Sequence, residues 1–461
     1  MKKNIVFGLA ALAAAACRAD AVHDMTEAKT WTDAGGKTFR YRWHAPAKIE
    51  QGRKYPLVVL MHGAGERGTN NVDQLAIGAT ELLKYAVESG DDCFFLAGQV
   101  PENQQWVDVP WSHLDHRMPE KPSETMALQM AFMEKLFAEL PVDRDRVYAT
   151  GISMGGYGTW DLVSRKPEWF AAAMPVCGGA DVRQAWKFKN VPTWTHHGDK
   201  DGVVPFARSR RMTAALWDLG CPVKYTEHPN VGHGSWTPAY GTRKNLEWLF
   251  SQKRKAVPRV PFANGDKIAF LGDSITQFGA ERPAGYVNLV MAGLAAQGVK
   301  AELVAAGVSG NMSHHMRARL QKDVLDKKPR WMFFSCGVND APNGYEDARK
   351  NPGHPLKEYA ADVTQIVRAA KQAGVGVIML EPTPVVEEPH LANENEKPYV
   401  EAFRKIAAAE KCPIVPLNAV FNSVIAAKEN PFQRELTRDG THMAPAGDRL
   451  MAEVILRTLG W

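Results

Sequence analysis

The sequence predicts an α/β protein built as two successive three-layer αβα domains. Three observations carry this expectation. The chain has 461 residues, too many for one ordinary domain. Short apolar runs alternate with helical patterns, and the runs are continuous rather than alternating, as in parallel strands covered on both faces. The pattern lapses once, in the basic stretch "SQKRKAVPRVPFANGDK" broken by Pro258 and Pro261, and then restarts. The expected layout is a leader over 1–21, a first domain over 22–252, a linker over 253–263 and a second domain over 264–461.

In the first domain, "YPLVVLMHG", "CFFLAGQV", "RVYATG", "AAAMPVCGG", "TWTHHGD" and "VKYTEHP" read as strands. "SRRMTAALWDLG" and "TRKNLEWLF" read as helices between or after them. In the second, the strand candidates are "KIAFLGDS", "AELVAAG", "RWMFFSCG", "GVGVIMLEP" and "PIVPLNAV". The helix "LKEYAADVTQIVRAAKQAG" sets Leu356, Tyr359, Ala360, Val363, Ile366, Val367 and Ala370 on one face, as core contacts. No internal repeat relates the halves.

Composition narrows the function classes. Hydrophobic content of 45% and charged content of 23% are those of a soluble globular protein. The net charge of +5 is small, and basic residues are dispersed except for "KRK" at 253–255, which argues against a nucleic-acid partner. The leader joins Lys2 and Lys3 to an apolar run from Ile5 to Ala16 and then small residues, the layout of a secretory signal cleaved after Ala21. That run is too short to span a bilayer, and no later stretch is long and apolar enough. "AAAAC" offers an alternative, a bacterial lipid anchor on Cys17, although Ala14 stands where such signals carry Leu. A secreted or periplasmic location is expected, with an outer-membrane lipoprotein as the alternative. Beyond Cys17, five scattered cysteines make no disulfide framework and no metal-ligand spacing. They read as buried thiols with one bridge at most, and no metal or organic cofactor is implied.

Two stretches carry nucleophile chemistry. "YATGISMGGYGTW" places Gly151-Ile-Ser153-Met-Gly155 between a strand and a helix. A G-x-S-x-G turn forces the serine into a strained position, and the helix N-terminus with the Met154 amide faces the developing oxyanion. "HGDKDGVVP" supplies Asp201, with Asp199 as an alternative acid or turn cap, and "VGHGSW" supplies His233. The histidine would take the Ser153 proton and return it to the leaving group, with Asp201 fixing its tautomer. "LMHGAGERG" offers Ala64, beside Gly63, as a second oxyanion donor, while His62 and His197 read as structural. Trp106 and Trp111, in the loop over 104–123, and Trp236 are candidate substrate contacts; the loop's tryptophans could equally pack it down.

The combination "HGAGERG", "GISMGGYGTW", "HGDKDGVVP" and "GHGSW" resembles the α/β-hydrolase branch of feruloyl esterases, acetylxylan esterases and polyhydroxybutyrate depolymerases, over about residues 40–250. The resemblance implies an α/β-hydrolase fold that cleaves ester side groups of plant polysaccharides or polyester chains.

The second set begins at "FLGDSITQFG", with Ser274, and continues in "AAGVSGNMS", "SCGVNDAP" and "TRDGTHMAPAG". These resemble the four blocks of the SGNH (GDSL-type) hydrolases over about residues 264–461, which implies a flavodoxin-like fold. By that resemblance Ser274 is the nucleophile, and its own amide, that of Gly310 and the Asn339 side chain form the oxyanion hole. His442 is the base, oriented by Asp439. Asp273 and Asp340 read as loop hydrogen-bonding residues, and His314 and His315 as solvated or cleft-lining.

The expected function is a secreted carbohydrate esterase with two serine sites, removing feruloyl or other acyl groups and acetyl groups from a xylan-like polysaccharide or oligosaccharide. The alternatives are a lipid or polyester esterase, or one active domain joined to a non-catalytic one.

Overall fold

The computed structural model describes residues 22–342 and 352–461. The leader, including Cys17 and the cleavage site, lies outside them. The chain folds as two compact units that divide between Ala256 and Val257.

The first unit holds an eight-stranded sheet of β1 (Glu27–Thr32), β2 (Thr38–His44), β3 (Tyr55–Met61), β4 (Phe94–Gln99), β5 (Val142–Ile152), β6 (Ala172–Val176), β7 (Thr193–Gly198) and β8 (Val223–His228). Their order is β1-β2-β4-β3-β5-β6-β7-β8. The neighbours from β4 to β8 run parallel, while β2 is antiparallel to both β1 and β4. β3 and β4 are buried along their whole length, which accounts for their unbroken apolar runs. β1 and β2, absent from the strands expected above, form the sheet's antiparallel edge. There Phe39, Tyr41 and Trp43 point inward at every second residue, between polar neighbours.

The second unit holds five parallel strands, β9 (Lys267–Gly272), β10 (Glu302–Gly307), β11 (Trp331–Phe334), β12 (Gly376–Leu380) and β13 (Ile414–Val415), in the order β10-β9-β11-β12-β13. Counted from β9, this is the 2-1-3-4-5 order of the flavodoxin-like sheet, whose crevice lies at the carboxyl ends of the first and third strands. The stretch "PIVPLNAV" is only partly a strand. Pro416 removes a ladder donor after Val415, and Leu417–Ala426 continues as a helix.

The helix Leu356–Gln372 buries Tyr359, Val363, Ile366, Val367 and Ala370 as its periodicity predicts, but Leu356 is 39% exposed. Asp362 is buried on that same face. The connecting stretch is held at both ends. The Arg254 amide donates to the Asp145 carbonyl in the first unit, at 2.9 Å. Val260 and Phe262 are buried in the second, where the Trp461 indole donates to the Val260 carbonyl. All five described cysteines are free thiols. Among the described residues, no helix is long and apolar enough to cross a membrane.

Candidate active sites

In the first unit, β5 ends at Ile152 and a helix begins at Met154, leaving Ser153 at φ 52°, ψ −119°. A non-glycine residue there stores strain of about 1–3 kcal/mol. The surroundings enforce it. The Ser153 amide donates to the Val176 carbonyl at 3.0 Å. A Cβ on Gly151 would stand 2.5 Å from the Gly155 carbonyl oxygen, and one on Gly155 would collide with the Met61 carbonyl. Both glycines of the motif are therefore required by close backbone approach, not by φ.

His233 Nε2 lies 2.8 Å from Ser153 Oγ, and His233 Nδ1 lies 2.8 Å from Asp201 Oδ2. The Asp201 side chain is fully buried. Its Oδ1 accepts the amides of Val203 and Val204, at 2.9 and 3.0 Å. Its Oδ2 also meets His197 Nε2 at 3.1 Å. Burial acts to raise this carboxyl, but the hydrogen bonds from both histidines and both amides outweigh it and hold it well below the usual carboxylate range. The geometry selects Asp201 over Asp199, whose buried Oδ1 has no hydrogen-bond partner among the described residues. His197 is thus more than a strand-end histidine: it is a second donor to the acid. No local motif signals this contact, because it depends on how the loop after β7 curls.

Ala64 opens a short 3₁₀ turn after β3, and Met154 is the first residue of the helix after Ser153. His62 anchors the first of these turns. Its Nε2 accepts the Val100 amide at 2.9 Å and its Nδ1 meets the Gly63 carbonyl at 2.6 Å, while burial pushes its pKa down to about 4 and keeps it neutral.

Trp106 requires a correction. It is 0% exposed and its indole N–H donates to the His62 carbonyl at 3.1 Å, so it packs the loop down and presents no face to a substrate. Trp111 is half-buried, with its carbonyl accepting from the Tyr157 hydroxyl at 2.8 Å. Trp236 is also half-buried and stands edge-on to His233, with ring centroids 5.3 Å apart. The loop over 104–123 is pinned rather than free. Buried Arg208 bonds the His113 carbonyl and the His116 ring, Arg183 bonds the His116 carbonyl, and Asp181 accepts the Met118 amide.

In the second unit, Ser274 begins the helix Ser274–Glu281 directly after β9, and Asp273 caps that helix by accepting the Ile275 amide at 2.9 Å. Burial pushes the Asp273 carboxyl up to about 6, against the opposing pull of that amide. His442 Nε2 lies 2.9 Å from Ser274 Oγ, and His442 Nδ1 lies 2.7 Å from Asp439 Oδ2. The D-x-x-H turn closes on itself, since Asp439 Oδ1 accepts the amides of Thr441 and His442 at 3.0 and 2.8 Å. Burial acts to raise the Asp439 carboxyl, yet the His442 amide and ring, with the Thr441 amide, bring it down to about 2.

Gly310 sits at φ 74°, a conformation that favours glycine. Asn339 Nδ2 donates one hydrogen to the Asn311 carbonyl at 3.1 Å, leaving its second for a substrate. A cleft of about 570 Å³ opens over this set, lined by Ser274, Gly310, Asn339, His442, Phe278 and Val385. It lies at the carboxyl ends of β9, β10 and β11, where the strand order reverses. Arg319, which no sequence motif marks, ties Asn311 Oδ1 at 2.7 Å to the Gly272 carbonyl at 2.9 Å.

The profile of a family described as GDSL-like lipase/acylhydrolase matches residues 270–450. An acetylxylan esterase of Geobacillus stearothermophilus is 30% identical over 214 residues, 43% of this chain and 95% of that protein. The chain belongs to the GDSL-like lipase/acylhydrolase family. Its GDSL-like segment contains Ser274, Gly310, Asn339, Asp439 and His442, and is preceded by a match to the prolyl oligopeptidase family over residues 115–197, which includes Ser153. This GDSL-like chain is also similar to a probable feruloyl esterase C of Aspergillus niger, 23% identical over 45% of the chain and 73% of that protein. A solved structure of a thermostable esterase is 38% identical over 50% of this chain and 64% of its own, with a TM-score of 0.47.

Proposed function

We propose that the chain is an exported serine carbohydrate esterase with two independent sites, one releasing feruloyl-type or other acyl groups and the other releasing acetyl groups from a xylan-like polysaccharide. The observation that carries this is the pair of serine–histidine–aspartate chains, each hydrogen-bonded end to end in its own unit. The relatives named as acetylxylan and feruloyl esterases support the substrate class. The leader over 1–21, with Cys17 as the alternative anchor point, supports export.

Each site performs the same chemistry with different parts. The histidine Nε2 takes the serine Oγ–H proton as Oγ bonds the ester carbonyl carbon, and the negative charge gathers on the carbonyl oxygen. As the bond from that carbon to the sugar oxygen breaks, the histidine protonates the departing oxygen to release the sugar hydroxyl, leaving an acyl-serine that water opens by the same steps. In the first unit, Ser153, His233 and Asp201 act, with the amides of Ala64 and Met154 as oxyanion donors. In the second, Ser274, His442 and Asp439 act, with the amides of Ser274 and Gly310 and the Asn339 side chain as donors. Each such donor contributes about 10²–10³ in turnover.

We assign acetyl release to the second unit and aryl-acyl release to the first, where Trp236 and Trp111 supply aromatic surface. The test is a competition assay on the full chain. Ferulate release from methyl ferulate and acetate release from acetylated xylo-oligosaccharide should both occur, and saturation with the oligosaccharide should leave ferulate release undiminished. Mutual competitive inhibition would contradict two sites, and release of neither acid would contradict the substrate class.

A further inference from the structure

We propose that His314, His354 and Asp362 bind one divalent transition-metal ion of the Zn²⁺ class, behind the cleft of the second unit. One donor atom from each lies within 4.8 Å of the other two. His354 Nε2 and Asp362 Oδ2 are already 2.9 Å apart. Donors of a tetrahedral Zn²⁺ with bonds of about 2.0 Å stand about 3.3 Å from one another. Ligation would replace the hydrogen bond between His354 Nε2 and Asp362 Oδ2 with a bond from each to the ion, and would add the half-buried His314 ring. Two imidazoles with one carboxylate form a donor set suited to Zn²⁺, with a fourth position left for water.

Independent observations point to a cation here. His314 Nδ1 is buried and has no hydrogen-bond partner among the described residues. Neither has Oδ2 of neighbouring Asp340, a residue that is 0% exposed. The Asp340 and Asp362 carboxylates are joined through Ser313, whose hydroxyl lies 2.7 Å from Asp340 Oδ1 and 3.4 Å from Asp362 Oδ2. Among the described residues, the ion pair from Arg317 to Asp362 Oδ1, at 3.0 Å, sets one guanidinium against these two buried carboxylates. An added cation would balance the excess negative charge.

The other described cluster, Cys177 with Asp201 and His233, lacks this chemistry: burial pushes the Cys177 thiol up to about 12, and both partners serve Ser153.

The ion would brace the oxyanion loops. The Ser313 amide and hydroxyl both bond Asp340 Oδ1, which ties the segment after Gly310 to the residue after Asn339, and the His354 amide donates to the Asp340 carbonyl at 2.7 Å. This bracing role rests on the proposed function; metal binding does not.

The test uses the full, untagged chain stripped with chelator and titrated with Zn²⁺ alone, read by calorimetry and elemental analysis, with Co²⁺ as a spectroscopic stand-in. The expected result is one tightly bound equivalent, tetrahedral Co²⁺ absorption and a raised melting temperature. His314→Ala, at a half-exposed position, should lose that equivalent, a larger effect than the ~10–100-fold seen for outer-shell partners, while Cys177→Ala should keep it. Absence of stoichiometric binding, or equal binding by His314→Ala, would overturn the site. Tight binding that changes neither the melting temperature nor turnover on an aryl acetate would overturn the bracing role.

Discussion

Ser274→Ala is expected to lower acetate release at the second site by about 10⁶-fold, the loss typical of deleting a hydrolase nucleophile. It should leave ferulate release at the first site unchanged. The reciprocal Ser153→Ala should abolish ferulate release and spare acetate release. These serines can be removed with little structural cost. Ser274 Oγ meets His442 Nε2, whereas the cap that starts its helix comes from Asp273. Loss of one exposed-side hydrogen bond costs about 1 kcal/mol, so the melting temperature should move by only a few degrees. Steady-state kinetics on both substrates, with thermal unfolding of each variant, checks this. Equal loss of both activities in either variant would mean a single working site.

Asp201→Asn is expected to lower turnover at the first site by about 10⁴-fold. The amide places an NH₂ where His233 Nδ1–H must donate, so the imidazole loses the tautomer that accepts the Ser153 proton. Stability falls as well, because Asp201 accepts from His233, His197 and the amides of Val203 and Val204. One amide oxygen cannot serve all four, and each buried donor left unpaired costs about 1–3 kcal/mol. Asp439 makes a useful contrast. Its side chain is 56% exposed, so water can replace part of what it supplies, and Asp439→Asn should cost less in both turnover and stability.

The Asp201 effect has a definite pH dependence. Its carboxyl is held below the ordinary 3.8 in the folded protein. A depressed pKa contributes stability that is fully present above the unfolded value and lost as pH falls toward the folded one. The stability gap between the wild-type chain and Asp201→Asn should thus be constant near neutrality and narrow below about pH 4. Denaturant titrations across that range measure it; a gap that widened on acidification would contradict the assignment.

What the sequence made legible followed from local rules. Strands buried on both faces announce themselves by unbroken apolar runs, as in "YPLVVLM" and "FFLAGQ". A strand–serine–helix turn needs glycines at fixed offsets, and a D-x-x-H turn brings acid and base together within four residues. What stayed hidden depended on tertiary placement. Trp106 and Trp111 look equivalent in the loop, yet the first is swallowed by packing against His62 while the second is not. His197 reaches Asp201 only because the loop after β7 folds back on its own strand. His314 and Asp362 meet because the helices Ser313–Asp323 and Leu356–Gln372 pack together, with His354 in the segment just before the second, and no spacing rule links the three. Strands β1 and β2 carry a weaker signal: Phe39, Tyr41 and Trp43 of β2 alternate with polar residues, and β1 has no buried residue.

Labelling stoichiometry tests the claim of two working serines most directly. A serine-reactive fluorophosphonate should add twice to the wild-type chain by intact mass, once to Ser153→Ala, once to Ser274→Ala, and not at all to the double variant. A single adduct on the wild-type chain, lost entirely on one of the two substitutions, would contradict two active sites in one chain.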